Sequence, residues 1–354
     1  MKLIIIGSIP PPIGGVSTHV ERIIPYLKDA GIDYVIWDYS KNCKRNKRII
    51  SLRHEFRKII SSVLTKGEVK VLHCLLSKIS FTRLNFFLLL KIMGIRLTIT
   101  LVGSPKDIIN NNPLKLLYLL ILTHLSSHVI AVNKDFYNIF INHGISEKKL
   151  SVIPAFIPFE NNVFIEKPIP TNVVDFCLRH KPLIVTYAYG PVIFGKEDLY
   201  GLDLFVQLAQ RLRKDLQQAG FVVVIPEISN KDYFNKIIRE IDDKGLKDVF
   251  YFAIGNDFSF VPFMQYADLF IRATNTDGDA LTLREALYCG VASIASDVCW
   301  RPDGTILFRN RDINDLYRAV SEVLYDVKSN IKTEPSTINN AELFIGVFKR
   351  TGNM

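Results

Sequence analysis

Residues 277–298 read "DGDALTLREALYCGVASIASDV", and this stretch decides the fold that the sequence predicts. An acidic turn containing Gly278 leads into an amphipathic helical pattern that begins near Leu281, and a strand-like run, "VASIASDV", follows the helix. The run before the turn, "DLFIRAT", also has strand length. A strand, a loop, a helix and a second strand in this order predict one unit of a parallel α/β sheet.

The same alternation extends in both directions along the chain. Strand-like runs such as "KLIIIGS", "VKVLHCLL" and "RLTITLVG" alternate with helical patterns in the first half, and "PLIVTYAYG" and "GFVVVIPE" do so in the second. Between the halves, residues 154–172 contain four prolines and no clean periodicity, which is typical of a linker. The sequence therefore predicts an α/β protein with two Rossmann-like domains.

Composition agrees with two domains and excludes several classes of protein. The chain has 354 residues and is 48% hydrophobic, which exceeds one core of ordinary size. Five scattered cysteines without a C-x-x-C pair predict neither a disulfide framework nor a zinc site, and they favour a reducing, cytoplasmic setting. The most apolar stretch, residues 113–127, is shorter than the roughly 18 apolar residues that a membrane-spanning helix needs.

The acidic turn is a candidate ligand site. In a parallel sheet, ligands bind beyond the carboxyl ends of the strands, where the amides of the following helix point outward. Gly278 and Ala280 allow close backbone approach, and the amides near Leu281 and Thr282 can hold a phosphate. Asp277 in the turn and Glu285 in the helix add two carboxylates to this place. Such a site suits a molecule that carries hydroxyls on both sides of a phosphate. Acidic residues that merely complement a helix dipole are the alternative.

Three segments resemble the retaining glycosyltransferases of family 4. In the quoted stretch, the family's E-x7-E element and its E-A-x-x-x-G-x-P-V-I-A-S sequence are matched in order by Glu285, Ala286, Gly290, Ala295, Ser296 and Asp297. The N-terminal "PPPIGGVSTHV" is similar to the family's glycine loop. The segment "GISEKKLSVIPAFIP" is similar to the family's sequence before the linker.

The resemblance implies a GT-B fold, in which two Rossmann-like domains face a central cleft. It places an acceptor domain in residues 1–160, a nucleotide-sugar donor domain in residues 161–335, and a final helix, residues 336–354, that returns to the first domain. It also implies that Glu285 binds the ribose hydroxyls, that Asp277 contacts the transferred sugar, and that the backbone of Leu281 and Thr282 faces the diphosphate.

The resemblance is imperfect where the family neutralises the diphosphate. An R-x-x-x-x-K-G pattern is usual there, but Gly195 and Tyr200 stand at the Arg and Lys positions. Lys196 lies one position away from the Arg position, and Arg272 and Arg301 are the other candidates for contacting the phosphates. For the two arginines, pairing with Asp277, Asp279 or Asp303 is an equal alternative.

The N-terminal glycine loop offers a second group of candidates. Gly14 and Gly15 precede a helical pattern, so their amides are candidates for binding phosphate or acceptor. His19 follows early in that helix, with an ordinary surface or capping histidine as the alternative. His73, at the end of a strand pattern, is more typical of a packed core histidine.

The function implied is a retaining, metal-independent transfer of a sugar from a nucleotide-sugar donor, without a cofactor, to a lipid-linked glycan in surface polysaccharide biosynthesis. Such chemistry needs positioning and charge neutralisation rather than a side-chain base. A non-catalytic GT-B module or partner subunit that binds a sugar nucleotide is the alternative, favoured by the displaced Arg/Lys pair.

The net charge of +9 bears on where the protein works. Ten of the basic residues lie in residues 41–70, interleaved with apolar ones. Read as an amphipathic basic helix, this segment predicts peripheral attachment to the inner, anionic face of a membrane, with a solvated helix face as the alternative. Nucleic acid is an unlikely partner, because no reading motif accompanies the bases.

Overall fold

The structure is a computed structural model that describes residues 1–11, 13–40, 43, 46–55, 59, 70–76, 82–109, 112–159, 169–255, 258–325 and 339–353. The chain divides into two compact units. Unit 1 comprises Met1–Pro158 and Ile338–Met354, and unit 2 comprises Phe159–Thr337.

Unit 1 is a parallel sheet with helices packed against it. Its strands are β1 (Lys2–Gly7), β2 (Asp33–Asp38), β3 (Ile49–Ser51), β4 (Lys70–Leu76), β5 (Arg96–Leu101), β6 (His128–Ala131) and β7 (Leu150–Val152). Its helices are α1 (Gly15–Asp29), α2 (Thr82–Ile92), α3 (Pro105–Ile109), α4 (Pro113–Leu125), α5 (Lys134–Asn142) and the C-terminal α11 (Asn340–Asn353), with a 3₁₀ turn at Glu147–Lys149. Among the described residues the strand order is β3-β2-β1-β4-β5-β6-β7.

Unit 2 repeats this plan. Its strands are β8 (Leu183–Tyr187), β9 (Ile193–Phe194), β10 (Glu197–Asp198), β11 (Gly220–Ile225), β12 (Phe250–Ile254), β13 (Leu269–Arg272), β14 (Ala292–Ser296) and β15 (Thr305–Phe308). Its helices are α6 (Thr171–Arg179), α7 (Leu202–Leu212), α8 (Lys231–Asp243), α9 (Leu281–Tyr288) and α10 (Ile313–Tyr325), with 3₁₀ turns at Lys247–Val249 and Val261–Gln265. In the described part of this unit, the main sheet has the order β12-β11-β8-β13-β14-β15, and β9 and β10 form a separate antiparallel hairpin.

Burial explains why the strand sequences are continuously apolar. Every residue of β11 is buried, as is every residue of β13, because helices cover both faces of a parallel sheet. In each sheet the strand order reverses next to the first strand, between β1 and β4 in unit 1 and between β8 and β13 in unit 2. Ligands of doubly wound sheets bind at the carboxyl ends of the strands beside such a switch point. The predicted α/β class with two Rossmann-like domains is confirmed.

The C-terminal helix α11 packs within unit 1. Phe344 and Phe348 are fully buried, and α11 contacts α1, β4 and β5. At its start, the Asn340 side chain donates a hydrogen bond to the Phe156 carbonyl over 2.8 Å. At its end, Arg96 Nη1 donates to the carbonyls of Thr351 and Gly352 over 2.9 and 2.7 Å, which satisfies two acceptors that a helix terminus leaves open.

Two histidines are buried beneath this helix. His19 Nδ1 lies 2.8 Å from the Ala155 carbonyl, and the His19 ring meets the Phe344 ring edge-on, with centroids 4.7 Å apart. His73 lies between Thr98 and Thr100, at 2.9 and 3.3 Å from their hydroxyl oxygens. Burial lowers the pKa of His19 to about 4 and that of His73 to about 3, because a charged imidazolium would lose its hydration there.

No helix in the described residues is long and apolar enough to cross a membrane. The helix predicted for the basic segment 41–70 is wrong at residues 49–51, which pair with β2 as the strand β3. Seventeen of the segment's thirty residues lie outside the described ranges.

The first prediction concerns the packing of α11. Replacing Phe344, which is fully buried, by Ala should lower the free energy of unfolding by about 3–5 kcal/mol, because the change leaves a cavity. The adjacent Leu343→Ala is the matched control, since Leu343 is half exposed and should change stability by less than about 0.5 kcal/mol. Urea unfolding of both variants measures the difference, and equal losses would show that α11 is not packed as described.

The second prediction concerns acid stability. Because the pKa values of His19 and His73 are lower in the folded chain than the ordinary 6.5, the unfolded chain binds more protons below pH 6.5. Stability should therefore fall as the pH drops from 6.5 toward 4, with each histidine adding up to about 1.4 kcal/mol per pH unit. Urea unfolding at several pH values should show a shallower slope for His19→Gln than for the control His54→Gln, which replaces an exposed histidine. Identical slopes would contradict this account.

Candidate functional site

The candidate site of unit 2 lies at the carboxyl end of β13, beside the switch point. Asp277, in the loop between β13 and α9, is the centre of its polar contacts. Its Oδ2 accepts hydrogen bonds from Arg272 Nε (3.0 Å), Arg301 Nη1 (2.9 Å) and the Thr274 hydroxyl (3.1 Å). Its Oδ1 accepts from Arg272 Nη2 (3.3 Å) and from the Gly278 amide (3.1 Å). The carboxylate is thus surrounded by donors.

The two arginines come from different strand ends. Arg272 is the last residue of β13, and it engages Asp277 with two nitrogens of its guanidinium. Its Nη1 donates to the Tyr187 carbonyl at the end of β8 over 3.4 Å, and its guanidinium carbon lies 5.4 Å from the centre of the Tyr200 ring. Arg272 therefore joins the two strands of the switch point.

Arg301 follows β14 and is held from several sides. Its Nε donates to the Ser296 carbonyl over 3.0 Å, and its Nη2 donates to the hydroxyls of Thr274 and Ser296, each over 3.1 Å. With the bond to Asp277, these contacts fix the guanidinium. The side chain is only 2% exposed, so its charge lies in a region of low dielectric constant.

The electrostatics of this cluster leave an excess of positive charge. Burial alone would raise the pKa of Asp277, but Arg272 and Arg301, by charge and by hydrogen bonding, hold it well below its usual range. Asp277 is consequently ionised, and two cations face one anion. Such a cluster can attract a further anionic group at the edge of the sheet.

Next to this cluster begins helix α9. Ala280 is its N-cap residue and makes no side-chain cap hydrogen bond, and Leu281 and Thr282 form the first turn. The Thr282 hydroxyl is buried and has no hydrogen-bond partner in the part of the chain that the structure describes. A buried hydroxyl without a partner is costly, and a ligand oxygen at this helix start would satisfy it.

Glu285 lies one turn further along α9 and is 4% exposed. Burial raises the pKa of the Tyr187 hydroxyl, and the charges of Tyr200 and Glu285 raise it further, so Glu285 acts electrostatically on the end of β8. The two carboxylates of the motif therefore differ in surroundings: Asp277 is held between arginines, whereas Glu285 lies inside the first turns of the helix.

Asp279, between the two, pairs with Arg284 of α9 over 2.5 Å. The Arg284 guanidinium carbon lies 5.6 Å from the centre of the Trp300 ring. This pair ties the loop to its own helix. Of the three acidic residues offered as alternatives, Asp277 is the one that forms ion pairs with both Arg272 and Arg301 in the described part of the chain.

The segment between β8 and α7 carries the departures from the family pattern. Gly195, whose φ is +67°, and Lys196 form the tip of the β9–β10 hairpin, and Lys196 is exposed. Gly201 has a φ of +71°, and a Cβ there would lie 2.4 Å from the Ala273 carbonyl oxygen, so only glycine fits between α7 and β13. Because Gly201 lies so close to Ala273, the ring of the preceding residue, Tyr200, lies next to the Arg272 guanidinium.

Asp198 anchors this segment, and sequence reasoning missed it. Its carboxylate accepts hydrogen bonds from the amides of Tyr200, Gly201 and Leu202 at 2.8, 3.2 and 2.9 Å, and from the Tyr233 hydroxyl at 2.8 Å. Burial raises its pKa, whereas these bonds lower it. Asp198 thus fixes the backbone that leads into α7, whose N-cap residue is Gly201.

In the glycine loop of unit 1, Gly14 and Gly15 lie at the start of α1. Gly14 is the N-cap of α1, and its amide donates to the Ser17 hydroxyl over 2.9 Å, so this amide is already used within the chain. Gly15 is exposed, with open space where a Cβ would stand. The surface or capping interpretation of His19 is wrong, because His19 is buried against Ala155 and Phe344.

Sequence reasoning also missed the neutral partners of the cluster. Tyr187, Thr274 and Ser296 lie at or just beyond the carboxyl ends of β8, β13 and β14. The signal that could have identified them is the position of a polar residue at or just beyond the end of a predicted strand. No group of three or more His, Cys, Asp or Glu side chains within the described ranges is arranged to hold a metal ion.

A family model matches most of unit 2. Residues 196–335, which include Arg272, Asp277 and Arg301, match the family model described as glycosyl transferases group 1. Among curated proteins, none matches the sequence of this chain significantly.

Several solved structures share the fold over the full chain. A glycosyltransferase from Rickettsia africae is 13% identical, with a TM-score of 0.73, and the match covers 99% of this chain and 98% of that one. A UDP-forming α,α-trehalose-phosphate synthase from Burkholderia xenovorans is 12% identical, with a TM-score of 0.73 and complete coverage of both chains.

A third structure, Anabaena HepE in complex with UDP and glucose, is 15% identical, with a TM-score of 0.64 and coverage of 100% of this chain and 97% of that one. At such identities the likeness shows the fold, and the match to the family model concerns residues 196–335. The chain has the GT-B fold, and residues 196–335 of its second unit are similar to the glycosyl transferases group 1.

Proposed function

We propose that the chain is a retaining glycosyltransferase that moves a sugar from a nucleotide-sugar donor to a lipid-linked glycan acceptor in surface polysaccharide biosynthesis. One observation carries the proposal. At the switch point of unit 2, the start of α9 follows the two arginines on Asp277 and precedes the buried Glu285 by one turn. The buried hydroxyl of Thr282 at this helix start has no hydrogen-bond partner among the described residues. This combination suits a sugar–diphosphate–nucleoside.

In the proposed arrangement, each part of the donor meets a different element. The diphosphate binds at the amides of Leu281 and Thr282 and takes the Thr282 hydroxyl as a donor. Glu285 accepts hydrogen bonds from the ribose hydroxyls. Because HepE is described in complex with UDP and glucose, uridine diphosphate sugars are the first donors to test.

Arg272 and Arg301 neutralise the leaving phosphate in this proposal, in place of the missing basic pair. They stand at the sheet edge with a net positive charge, whereas Lys196 lies at an exposed hairpin tip. Asp277 then positions the two guanidiniums, because its oxygens already accept five hydrogen bonds. In this proposal Asp277 therefore holds the arginines, whereas the resemblance implies that it contacts the transferred sugar.

The reaction that fits these groups proceeds on one face of the sugar. The bond from the anomeric carbon to the phosphate oxygen breaks, the acceptor oxygen bonds to that carbon, and the leaving phosphate takes the acceptor's proton. The arginines stabilise the charge that develops on the phosphate, and the chain needs no side-chain base. Transfer in this scheme also needs no metal ion, so it should persist in EDTA.

A non-catalytic module that binds a sugar nucleotide is the second candidate. It is favoured by Tyr200 and Gly195, which stand where the family carries its basic residues. The two candidates differ in turnover: a transferase releases nucleoside diphosphate when an acceptor from a lipid extract is added, whereas a binding module is stabilised by the donor and releases none.

The first prediction from this proposal concerns Glu285. Glu285→Gln should weaken donor binding by about 10–100-fold, because a neutral amide accepts hydrogen bonds from hydroxyls less strongly than a carboxylate does. The matched control is Glu322→Gln, since Glu322 is exposed on α10 and pairs with Arg318. Calorimetric titration with uridine diphosphate sugars gives the affinities. Unchanged affinity in a well-folded Glu285→Gln protein would remove Glu285 from the donor site.

The second prediction separates Arg272 from Lys196 as the residue that contacts the phosphates. Arg272→Gln should reduce the affinity for a nucleoside diphosphate about tenfold or more, and Arg272→Lys should recover only part of it, because lysine lacks the planar fork. Lys196→Gln and the control Arg213→Gln, which breaks an exposed pair with Asp248, should leave the affinity unchanged. A loss confined to Lys196→Gln would assign the phosphate contact to the hairpin instead.

A further inference from the structure

Unit 1 carries a cluster of outward-facing apolar side chains on two helices and the turn after one of them. Of the sixteen large hydrophobic side chains that are exposed within the described residues, six are found here. The apolar face, as we call it, consists of Leu89, Ile92, Met93, Leu114, Leu117 and Ile121. Scattered single apolar residues are normal on a surface, whereas such a concentration marks an interaction site.

Helix geometry places the α4 residues of the apolar face on one side of that helix. Leu114, Leu117 and Ile121 recur at spacings of three and four residues, so they form one stripe along α4. The opposite side of α4 is already used, because Leu119 and Leu122 are fully buried in the core of unit 1. Helix α2 packs against α4 and adds its own exposed residues, of which Ile92 is 82% exposed.

Charge accompanies this apolar face. Residues 82–134 contain six basic residues and a single acidic one, Asp107, and neither α2 nor α4 contains an acidic residue. Lys91 lies at the rim, where its Nζ donates to the Leu125 carbonyl at the end of α4 over 2.8 Å. Lys115 lies in the first turn of α4, next to Leu114. An apolar surface bordered by positive charge complements an anionic bilayer.

We propose that the apolar face lies on an anionic bilayer surface, with its leucine and isoleucine side chains in the headgroup region and its lysines against anionic lipids. A second copy of the chain fits less well, because pairing two such faces would bring the surrounding bases together. The attachment rests on this surface alone and holds whether or not the chain transfers sugars. It differs from the segment 41–70 that the sequence indicated, and it would bring unit 1 to a lipid-linked acceptor.

The test is sedimentation of the full chain with vesicles of phosphatidylcholine containing phosphatidylglycerol, compared with vesicles of phosphatidylcholine alone. The variant Ile92→Ser/Leu114→Ser/Leu117→Ser should lose binding by more than about tenfold, since it removes exposed apolar area. The matched control, Leu178→Ser/Leu307→Ser/Leu343→Ser, removes three exposed leucines elsewhere and should bind like the parent. Thermal melting confirms that both variants are folded.

Charge is tested separately. Lys91→Gln and Lys115→Gln should each weaken binding to the anionic vesicles about fivefold, and high salt should release the parental chain. Equal binding to both vesicle types, an equal loss in the control triple variant, or no binding by the parental chain would each overturn the proposal. A parental dimer that the first triple variant converts to a monomer, without vesicle binding, would assign the face to a second copy.

Discussion

The arrangement of unit 2 depends on one carboxylate held between two arginines. Asp277 accepts hydrogen bonds from Arg272, which ends β13, and from Arg301, which follows β14. Removing one partner of a buried ion pair costs about 3–5 kcal/mol, because the other charge stays buried without compensation. The loop before α9 is therefore fixed to two neighbouring strands, and the start of α9 is fixed with it.

Under the proposed function, this constraint supplies the positive charge that Gly195 and Tyr200 do not. The segment with Tyr200 and Gly195 supplies no positive charge, but Asp198 and Gly201 hold its backbone close to β13, and Tyr200 lies beside Arg272. The positive charge comes from within the sheet edge instead. Burial makes that charge effective, since the low dielectric constant strengthens its interaction with an anion.

Much of this could be predicted from the sequence, for identifiable physical reasons. The alternation of apolar strands with amphipathic helices predicted the two sheets, and the acidic turn before Leu281 predicted the loop and the start of α9. The pairing of Arg301 with Asp277 could be offered only as one of several alternatives, because the two are 24 residues apart and their contact depends on the neighbouring positions of β13 and β14. The burial of His19 was missed because α11, far away in sequence, covers it.

Hydrogen exchange with and without a nucleoside diphosphate, read by mass spectrometry, tests the location of the donor site most directly. When a nucleoside diphosphate is bound, exchange should be slower in peptides that cover residues 272–285 and unchanged in the helix Lys231–Asp243 of the same unit. Binding that leaves residues 272–285 unprotected, with protection elsewhere, would contradict the assignment of the donor to the Asp277 cluster and the start of α9.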